Sequence, residues 1–236
     1  MTYLHRFESM VREIEKNNFL EIVEYRANPP ISETQVKEVE EALKVPLTDP
    51  IKKFYREADG LYLRWRIDPF LDAEKTKRLQ KMSNDYEISI AESENQAFAR
   101  INLVSLYESV KKCNWVGVEP TFEDQPPTVM FNNHTLKRKE FIDLLRPLDL
   151  FSLDSYMAFV FQPGQNEPKV ILLSEANSIW DQSRVSNFET YLEFLLATRG
   201  VVEAREKHFL STDIKFKNTL IKGTDYWKKR TPKMFR

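Results

Sequence analysis

The stretch VPLTDPIKKFYREADGLYLRW, from Val45 to Trp65, carries the clearest structural signals in this chain. Asp49 is typical of a helix N-cap, and Pro50 suits the first turn, where its missing N–H costs nothing. Apolar side chains then recur at helical spacing over residues 51–58. Gly60 suits the left-handed position that ends a helix. The stretch therefore predicts a helix, a glycine stop and a further element.

That further element is predicted to be a strand over residues 61–67, because apolar and polar side chains alternate there. One face carries Leu61, Leu63 and Trp65, and the other carries Tyr62, Arg64 and Arg66. The second face either carries a partner or simply meets water.

Helix starts are predicted on both sides of this stretch. Apolar spacing predicts an amphipathic helix over residues 3–16. Ser32 followed by Gln35 is a capping-box pattern, and Ser186 followed by Glu189 repeats it before a second apolar helix.

The segment YMAFVFQPGQNEPKVILLS, residues 156–174, is typical of a hairpin, with two apolar runs around a turn-rich centre. Its nearly all-apolar first run predicts a central strand covered on both faces. A helix over residues 141–145 should end before Pro147. Helices, then mostly antiparallel strands, then helices predict an α+β fold in a single domain over residues 1–236.

Composition narrows the class of protein. Lys plus Arg is 35 and Asp plus Glu is 36 among 236 residues, so the net charge of −1 gives no general attraction to nucleic acid or membranes. Cys113 is the single cysteine, which favours a reducing compartment. No apolar run of about 18 residues and no signal-peptide pattern occur, so we expect a cytoplasmic protein and no membrane partner.

Catalytic and metal signatures are absent from the sequence. Five glycines leave little for a phosphate loop, and the three histidines have no metal-ligand spacing, so we expect no cofactor and no metal. His134 is the candidate general base of a hydrolase, and its alternative role is a turn residue after a strand. Asp149 and Asp154 are expected in caps or turns.

Residues 31–61, ISETQVKEVEEALKVPLTDPIKKFYREADGL, resemble the opening of the SUKH superfamily, the cell-wall-assembly-regulator type domain. Members begin with a capped helix, a short corner, and a second helix with an aromatic pair before a glycine, as in Phe54-Tyr55 and Gly60. The corner departs from the family, because in Val45-Pro46-Leu47 the proline precedes the leucine.

Later segments resemble the same family in the same order. They are LRPLDLFSLDSYMAFVFQPG, VILLS and IWDQSRVSNFETYLEFLLATRG. The resemblance covers about residues 31–200, apart from a charged insertion near 68–99, and a basic extension follows at 203–236. It implies an antiparallel sheet flanked by helices.

The resemblance also implies partner binding without catalysis. Many bacterial members are, or are thought to be, immunity proteins that neutralise a cognate toxin domain, and some eukaryotic members are regulatory scaffolds. An immunity-type protein that occludes a toxin's active site is the first hypothesis. The alternatives are a scaffold for an endogenous partner and a hydrolase that uses His134. No small-molecule substrate is expected.

Partner-binding candidates were chosen for residue type and context, since Trp and Arg dominate binding hot spots and acidic loops attract basic surfaces. They are Trp180, Asp181 and Arg184, Glu119, Glu123 and Asp124 in a Pro-rich loop, and Arg64 and Arg66 on the strand. The 68–99 insertion is a further candidate region. Packing at the edge of the core and plain solvation are the competing interpretations.

The basic C-terminal segment from Lys215 interleaves lysines with Phe216, Tyr226, Trp227 and Phe235. This pattern is typical of nucleic-acid binders. A solvated tail or a short docking helix has the same composition, because long Lys stems pack on aromatic rings. Nucleic acid is therefore not expected as the partner.

Overall fold

The computed structural model describes residues 1–82, 99–113, 127–131, 134–152, 155–174 and 185–209, together with Phe235. Its helices are α1 (Tyr3–Glu15), α2 (Glu33–Leu43), α3 (Asp49–Glu57), α4 (Ala73–Met82), α5 (Arg138–Leu144), α6 (Phe188–Thr198), α7 (Val202–Phe209) and a π-helix (Glu108–Lys112). Within these ranges, no helix combines the length and the apolar character that a bilayer crossing requires.

The strands confirm the predicted α+β class. They are β1 (Leu20–Ala27), β2 (Leu61–Ile67), β3 (Ala99–Leu103), β4 (Thr128–Phe131), β5 (His134–Lys137), β6 (Leu145–Asp149), β7 (Ser155–Val160) and β8 (Lys169–Ser174). The main sheet has the order β1-β2-β3-β6-β7-β8, with antiparallel neighbours throughout, while β4 and β5 form a separate pair. The predicted hairpin is confirmed as β7–β8.

Two hydrophobic clusters cover the sheet. The larger one packs α1, α2, α3, α6 and α7 on one face. The smaller one packs β4, β5 and α5 on the other face, against β6, β7 and β8. Alternate residues of β7 therefore enter different clusters, and all six are buried, as the apolar run predicted. Burial of this apolar surface is the main force that holds the layers together.

Two of the predicted helix starts need correction. The Ser32–Gln35 capping box is confirmed, with the Gln35 amide donating to Ser32 Oγ at 3.2 Å. Thr48, not Asp49, occupies the N-cap position of α3. The predicted Ser186–Glu189 box is wrong, because the backbone of Ser186 pairs with Val170 as a strand residue.

Asn187 caps α6 in place of Ser186. Its side-chain oxygen accepts from the Thr190 amide at 2.9 Å. Serine and asparagine are about equally good N-cap residues. Because the backbone of Ser186 pairs with Val170, the helix begins one residue later and Asn187 is its N-cap.

Pro147 does not follow a helix that reaches Leu145, as predicted, but lies inside β6. The strand accommodates it at an irregularity in its pairing with β7, between Pro147 and Asp149. Proline is tolerated at such bulges because no ladder donor is needed there. The Pro147 carbonyl accepts from Ser109 Oγ at 2.6 Å, which ties β6 to the π-helix.

The Asp59-Gly60 corner joins several elements. The Asp59 carboxylate accepts from Ser105 Oγ at 2.6 Å and from the Leu106 amide at 2.8 Å. Burial raises the pKa of this carboxyl, and the two hydrogen bonds oppose the rise. Helix α3 already ends at Glu57, so Gly60, with a φ of 102°, is a corner residue and does not terminate the helix as predicted. The Asp59-Gly60 corner thus has a structural role, because it ties the start of β2 to residues 105 and 106.

We expect Gly60→Ala to destabilise the protein more than Gly164→Ala. Both glycines have a positive φ, but a Cβ at Gly60 would lie 2.7 Å from the Leu103 carbonyl oxygen, while one at Gly164 meets nothing within 4 Å. Gly164→Ala, the control, should lower the free energy of unfolding by about 1 kcal/mol. Gly60→Ala should lower it by about 3 kcal/mol or more. Urea unfolding measures both, and equal losses would contradict the close packing of this corner.

The sheet has a narrow seam between β3 and β6. Their only registered pair among the described residues is Leu103 with Asp149. Hydrogen bonds from the Val104 amide to the Leu148 carbonyl, 3.0 Å, and from the Leu150 amide to the Asn102 carbonyl, 3.1 Å, complete it. So few ladder bonds would leave two three-stranded halves weakly joined.

A buried ion pair reinforces this seam. Asp149 and Arg205 are both fully buried, and Arg205 Nη2 lies 2.9 Å from Asp149 Oδ2. The same carboxylate oxygen accepts from the Tyr191 hydroxyl at 2.5 Å, and Arg205 Nη2 also donates to the Arg100 carbonyl on β3 at 2.8 Å. The expectation that Asp149 caps or turns is wrong, because it lies in a strand at the centre of the molecule.

The surroundings of Arg205 favour its charged form. Burial alone would lower the pKa of Arg205, but Asp149 and Tyr191 together outweigh it, and the net direction is upward. Burial raises the pKa of the Tyr191 hydroxyl well above its usual range, so Tyr191 stays a donor. The guanidinium also lies 4.3 Å above the ring of Phe151.

Arg205→Met should lower the free energy of unfolding by about 3–5 kcal/mol, because it leaves the Asp149 charge buried and uncompensated. Asp149→Leu combined with Arg205→Met should recover part of that loss. The control Lys112→Met breaks an exposed pair with Glu108, 62% and 40% exposed, and should cost less than about 1 kcal/mol. Urea unfolding compares the three, and a loss in Arg205→Met no larger than in the control would contradict this role.

The end of the chain returns to the main core. The ring of Phe235 meets the buried ring of Trp65 edge-on, with centroids 5.8 Å apart, and the Arg199 guanidinium lies 5.4 Å from its centroid. Helix α7 begins the predicted basic extension, and residues 210–234 lie outside the described ranges.

Candidate functional site on the open half of the sheet

The predicted partner-binding residues divide into two groups. Arg64 and Arg66 lie on β2, in the described part of the chain. The other candidates lie outside the described residues: Trp180, Asp181, Arg184, Glu119, Glu123 and Asp124. His134 begins β5, opposite Phe131, and its side chain is also outside the description. Of the 68–99 insertion, the structure describes residues 68–82, which end with α4, and Ala99, which begins β3.

Within the described ranges, the sheet face opposite the main helices is covered over half of its width. The smaller cluster covers it over β6, β7 and β8. Over β1, β2 and β3 the same face carries polar side chains that are exposed or half-buried. They are Glu21, Glu24 and Arg26 on β1, Tyr62, Arg64 and Arg66 on β2, and Arg100 and Asn102 on β3. We call these residues the arginine face.

Local sequence explains how this face is assembled. Apolar residues alternate with these polar ones in β2 and β3, and burial follows the same period. In β1 a bulge between Ile22 and Glu24 keeps Glu21 and Glu24 on one side despite their odd spacing. Trp65 points to the other side, where its ring is buried and its Nε1 donates to the Arg199 carbonyl at 2.7 Å.

Both glutamates of the arginine face are already paired. Glu21 accepts from Arg66 Nε at 2.7 Å, and Glu24 accepts from Arg26 Nη1 at 2.9 Å. The Arg26 guanidinium also covers the ring of Tyr62, 4.8 Å from its centroid. Both glutamates and the Tyr62 ring are therefore already in contact with arginines of the same face.

Arg64 and Arg100 make no such ion pair among the described residues, although Glu24 lies in register with Arg64 on β1. They face each other across β2 and β3 in register, although their charges are alike. The Nε atom of each is buried and makes no hydrogen bond, and the ion pairs found among the described residues include neither side chain. Like charges directly opposite each other destabilise a sheet, and a buried donor without an acceptor adds to the cost.

Sequence reasoning found Arg64 and Arg66 but missed Arg26, Arg100 and the two glutamates. The signal for Arg100 was present, since it alternates with Ala99 and Ile101 in the strand sequence ARINL. Strand order and register were missing, and these alone place Arg100 opposite Arg64.

A cleft of about 720 Å³ lies between α1, α3 and α6. The three glutamates that line it are hydrogen-bonded to neighbouring residues. Glu193 holds Arg6 in a two-bond pair, Glu57 accepts from the Leu4 amide at 2.9 Å, and Glu189 accepts from the Tyr3 hydroxyl. These bonds fasten the three helices to one another.

Across the ranges that the structure describes, no group of three or more His, Cys, Asp or Glu side chains is placed to hold a metal ion. The Asp149–Tyr191–Arg205 cluster joins an acid, a phenol and a guanidinium, but its side chains are fully buried and hydrogen-bonded to one another. These contacts give the cluster a structural role, which is to hold β6, α6 and α7 together.

A comparison with protein-family models finds none that matches this chain, and a comparison with curated proteins finds no match either. The resemblance to the SUKH superfamily therefore stays a prediction.

Arg100→Glu should raise the free energy of unfolding by about 0.2–1 kcal/mol, because it places an acid directly opposite Arg64. Arg100→Gln removes the repulsion without adding an attraction, so its stability should lie between those of the wild type and Arg100→Glu. Thermal or urea unfolding at low salt measures the series. A loss of stability in both variants would mean that Arg100 serves the fold.

Proposed function

We propose that this chain is a cytoplasmic binding protein of the immunity type, which neutralises a cognate bacterial toxin domain by covering its active site. The single observation that carries the proposal is the arginine face, an open, charged half-sheet held on a firmly packed core. The resemblance of residues 31–200 to the SUKH superfamily supports the same class.

Occlusion asks little chemistry of the binding protein. It needs a preformed surface that changes shape little on binding and buries an area near the standard interface size of about 1,600 Å². The arginine face lies on regular strands, which position side chains more firmly than loops do. Arginine is also one of the side chains that most often dominate interface energy.

The charge of the contact depends on the toxin. The arginine face suits an acidic surface, through electrostatic complementarity. If the toxin is a nuclease with a basic active site, the acidic loop with Glu119, Glu123 and Asp124 is the better candidate for the contact. The predicted anchor segment Trp180–Arg184 is compatible with either case.

A scaffold that binds an endogenous protein through the same face is the alternative. It differs from the immunity protein in its partner alone, so protection against a toxin separates them. A hydrolase would depend on His134, and binding to nucleic acid would depend on the basic C-terminal segment. Neither of these two has support from the contacts described above.

Co-expression with the product of the neighbouring gene should restore growth, and the two proteins should co-purify. In vitro, inhibition of the toxin should become complete at a fixed molar ratio of this protein to the toxin, because occlusion is not catalytic. His134→Ala should protect as well as the wild type. Loss of protection in His134→Ala, with unchanged folding, would instead favour the hydrolase.

A further inference from the structure

We propose that Arg64 and Arg100 together form a receptor for a surface carboxylate of a protein partner. The inference rests on the proposed function to the extent that the partner is taken to be a protein. It goes further by naming the chemistry of the contact and the two side chains that make it.

The first observation is an uncompensated positive charge. Glu24 lies in register with Arg64 on β1, but its carboxylate pairs with Arg26, and Glu21 pairs with Arg66. Arg64 also lies directly opposite Arg100 on β3, and both side chains are half-buried. The face thus carries more arginines than glutamates, and the ion pairs among the described residues include neither Arg64 nor Arg100.

The second observation is the pair of unused donors. Nε of Arg64 and Nε of Arg100 are buried and have no acceptor among the described residues, as is true of Nε in Arg146 and Arg199, but only Arg64 and Arg100 also face each other in register. Both atoms belong to planar forks whose geometry matches the two oxygens of a carboxylate. A partner carboxylate set between the forks would supply the acceptors and the negative charge together.

Two like charges in register and two buried donors without acceptors are expected to lower the folding stability of the sheet. Natural sequences depart from local rules mainly at functional positions, where a ligand compensates for the defect. An acid at position 100 would have given a cross-strand ion pair with Arg64. The sheet carries two like charges there instead, as expected if the missing acid comes from a partner.

Contacts around the pair favour a protein over a nucleic acid. Glu21 and Glu24 flank the arginines on β1, so a phosphate chain crossing the strands would meet like charges. The ring of Tyr62, the aromatic side chain of this face, is covered by Arg26 and is not open for base stacking. A discrete carboxylate avoids both obstacles.

The test compares Arg64→Gln/Arg100→Gln with a matched double variant, Arg12→Gln/Arg56→Gln. Arg12 and Arg56 are exposed arginines on α1 and α3, which pack on the other face of the sheet, so both variants lose the same charge. The probe is a glutamate-rich synthetic peptide at low salt, followed by fluorescence anisotropy and by the NMR signals of the arginine Nε–H groups.

The wild type and the control should bind the peptide alike, and the Arg64/Arg100 variant should bind at least about tenfold more weakly. The Nε–H signals of Arg64 and Arg100 should shift on titration. The stability of the free Arg64/Arg100 variant should equal or exceed that of the wild type, since the repulsion has been removed.

Three results would overturn the inference. An equal loss of peptide binding in both double variants would show that only net charge matters. Lower stability of the Arg64/Arg100 variant would show that another part of this chain already supplies the acid. Binding of a single-stranded oligonucleotide in place of the peptide, abolished by the same substitutions, would identify a nucleic-acid face.

Failure of the inference is distinguishable from failure of the proposed function. If the Arg64/Arg100 variant still protects cells from the toxin, the immunity function stands and the contact lies elsewhere on the surface. If the wild type does not protect, the immunity function falls, and the peptide titration still decides whether the pair binds carboxylates.

Discussion

The ion pair between Asp149 and Arg205 is the interaction on which the sheet depends. Strands β3 and β6 share only a short seam among the described residues, yet this seam joins two halves of three strands each. Arg205 bridges the seam, since one nitrogen donates both to Asp149 on β6 and to the Arg100 carbonyl on β3. A charge can be buried here because each group has a charged partner and further hydrogen bonds.

The seam also positions the candidate site. Arg100 uses its backbone carbonyl to bind Arg205 beneath the sheet, while its side chain faces Arg64 on the open side. The arginines of this protein thus have two different environments. Arg205 is buried with a complete set of partners and adds rigidity. Arg64 and Arg100 are half-buried and make no ion pair among the described residues, although Glu24 lies in register with Arg64. A rigid sheet keeps the two forks in place for a partner.

Much of the local structure was predictable from the sequence, because its causes are local. Apolar spacing located α1, α2, α3, β2 and the β7–β8 hairpin, and the Ser32–Gln35 box followed from side chains three residues apart. The predictions were wrong where contacts with distant chain segments determine the local structure. Ser186 pairs with Val170 and therefore does not cap α6. Pro147 lies in a strand because β6 pairs with β7. Asp149 was assigned to a turn because its partner lies 56 residues away.

The sequence by itself determined the α+β class, the alternation that exposes Arg64 and Arg66, and the absence of catalytic motifs. Period and composition are properties of neighbouring residues, so they can be read without coordinates. Only the tertiary structure decided which arginine faces Arg64, which glutamates are already used, and which half of the sheet stays open. These depend on strand order and register, which are set by the packing of the whole chain.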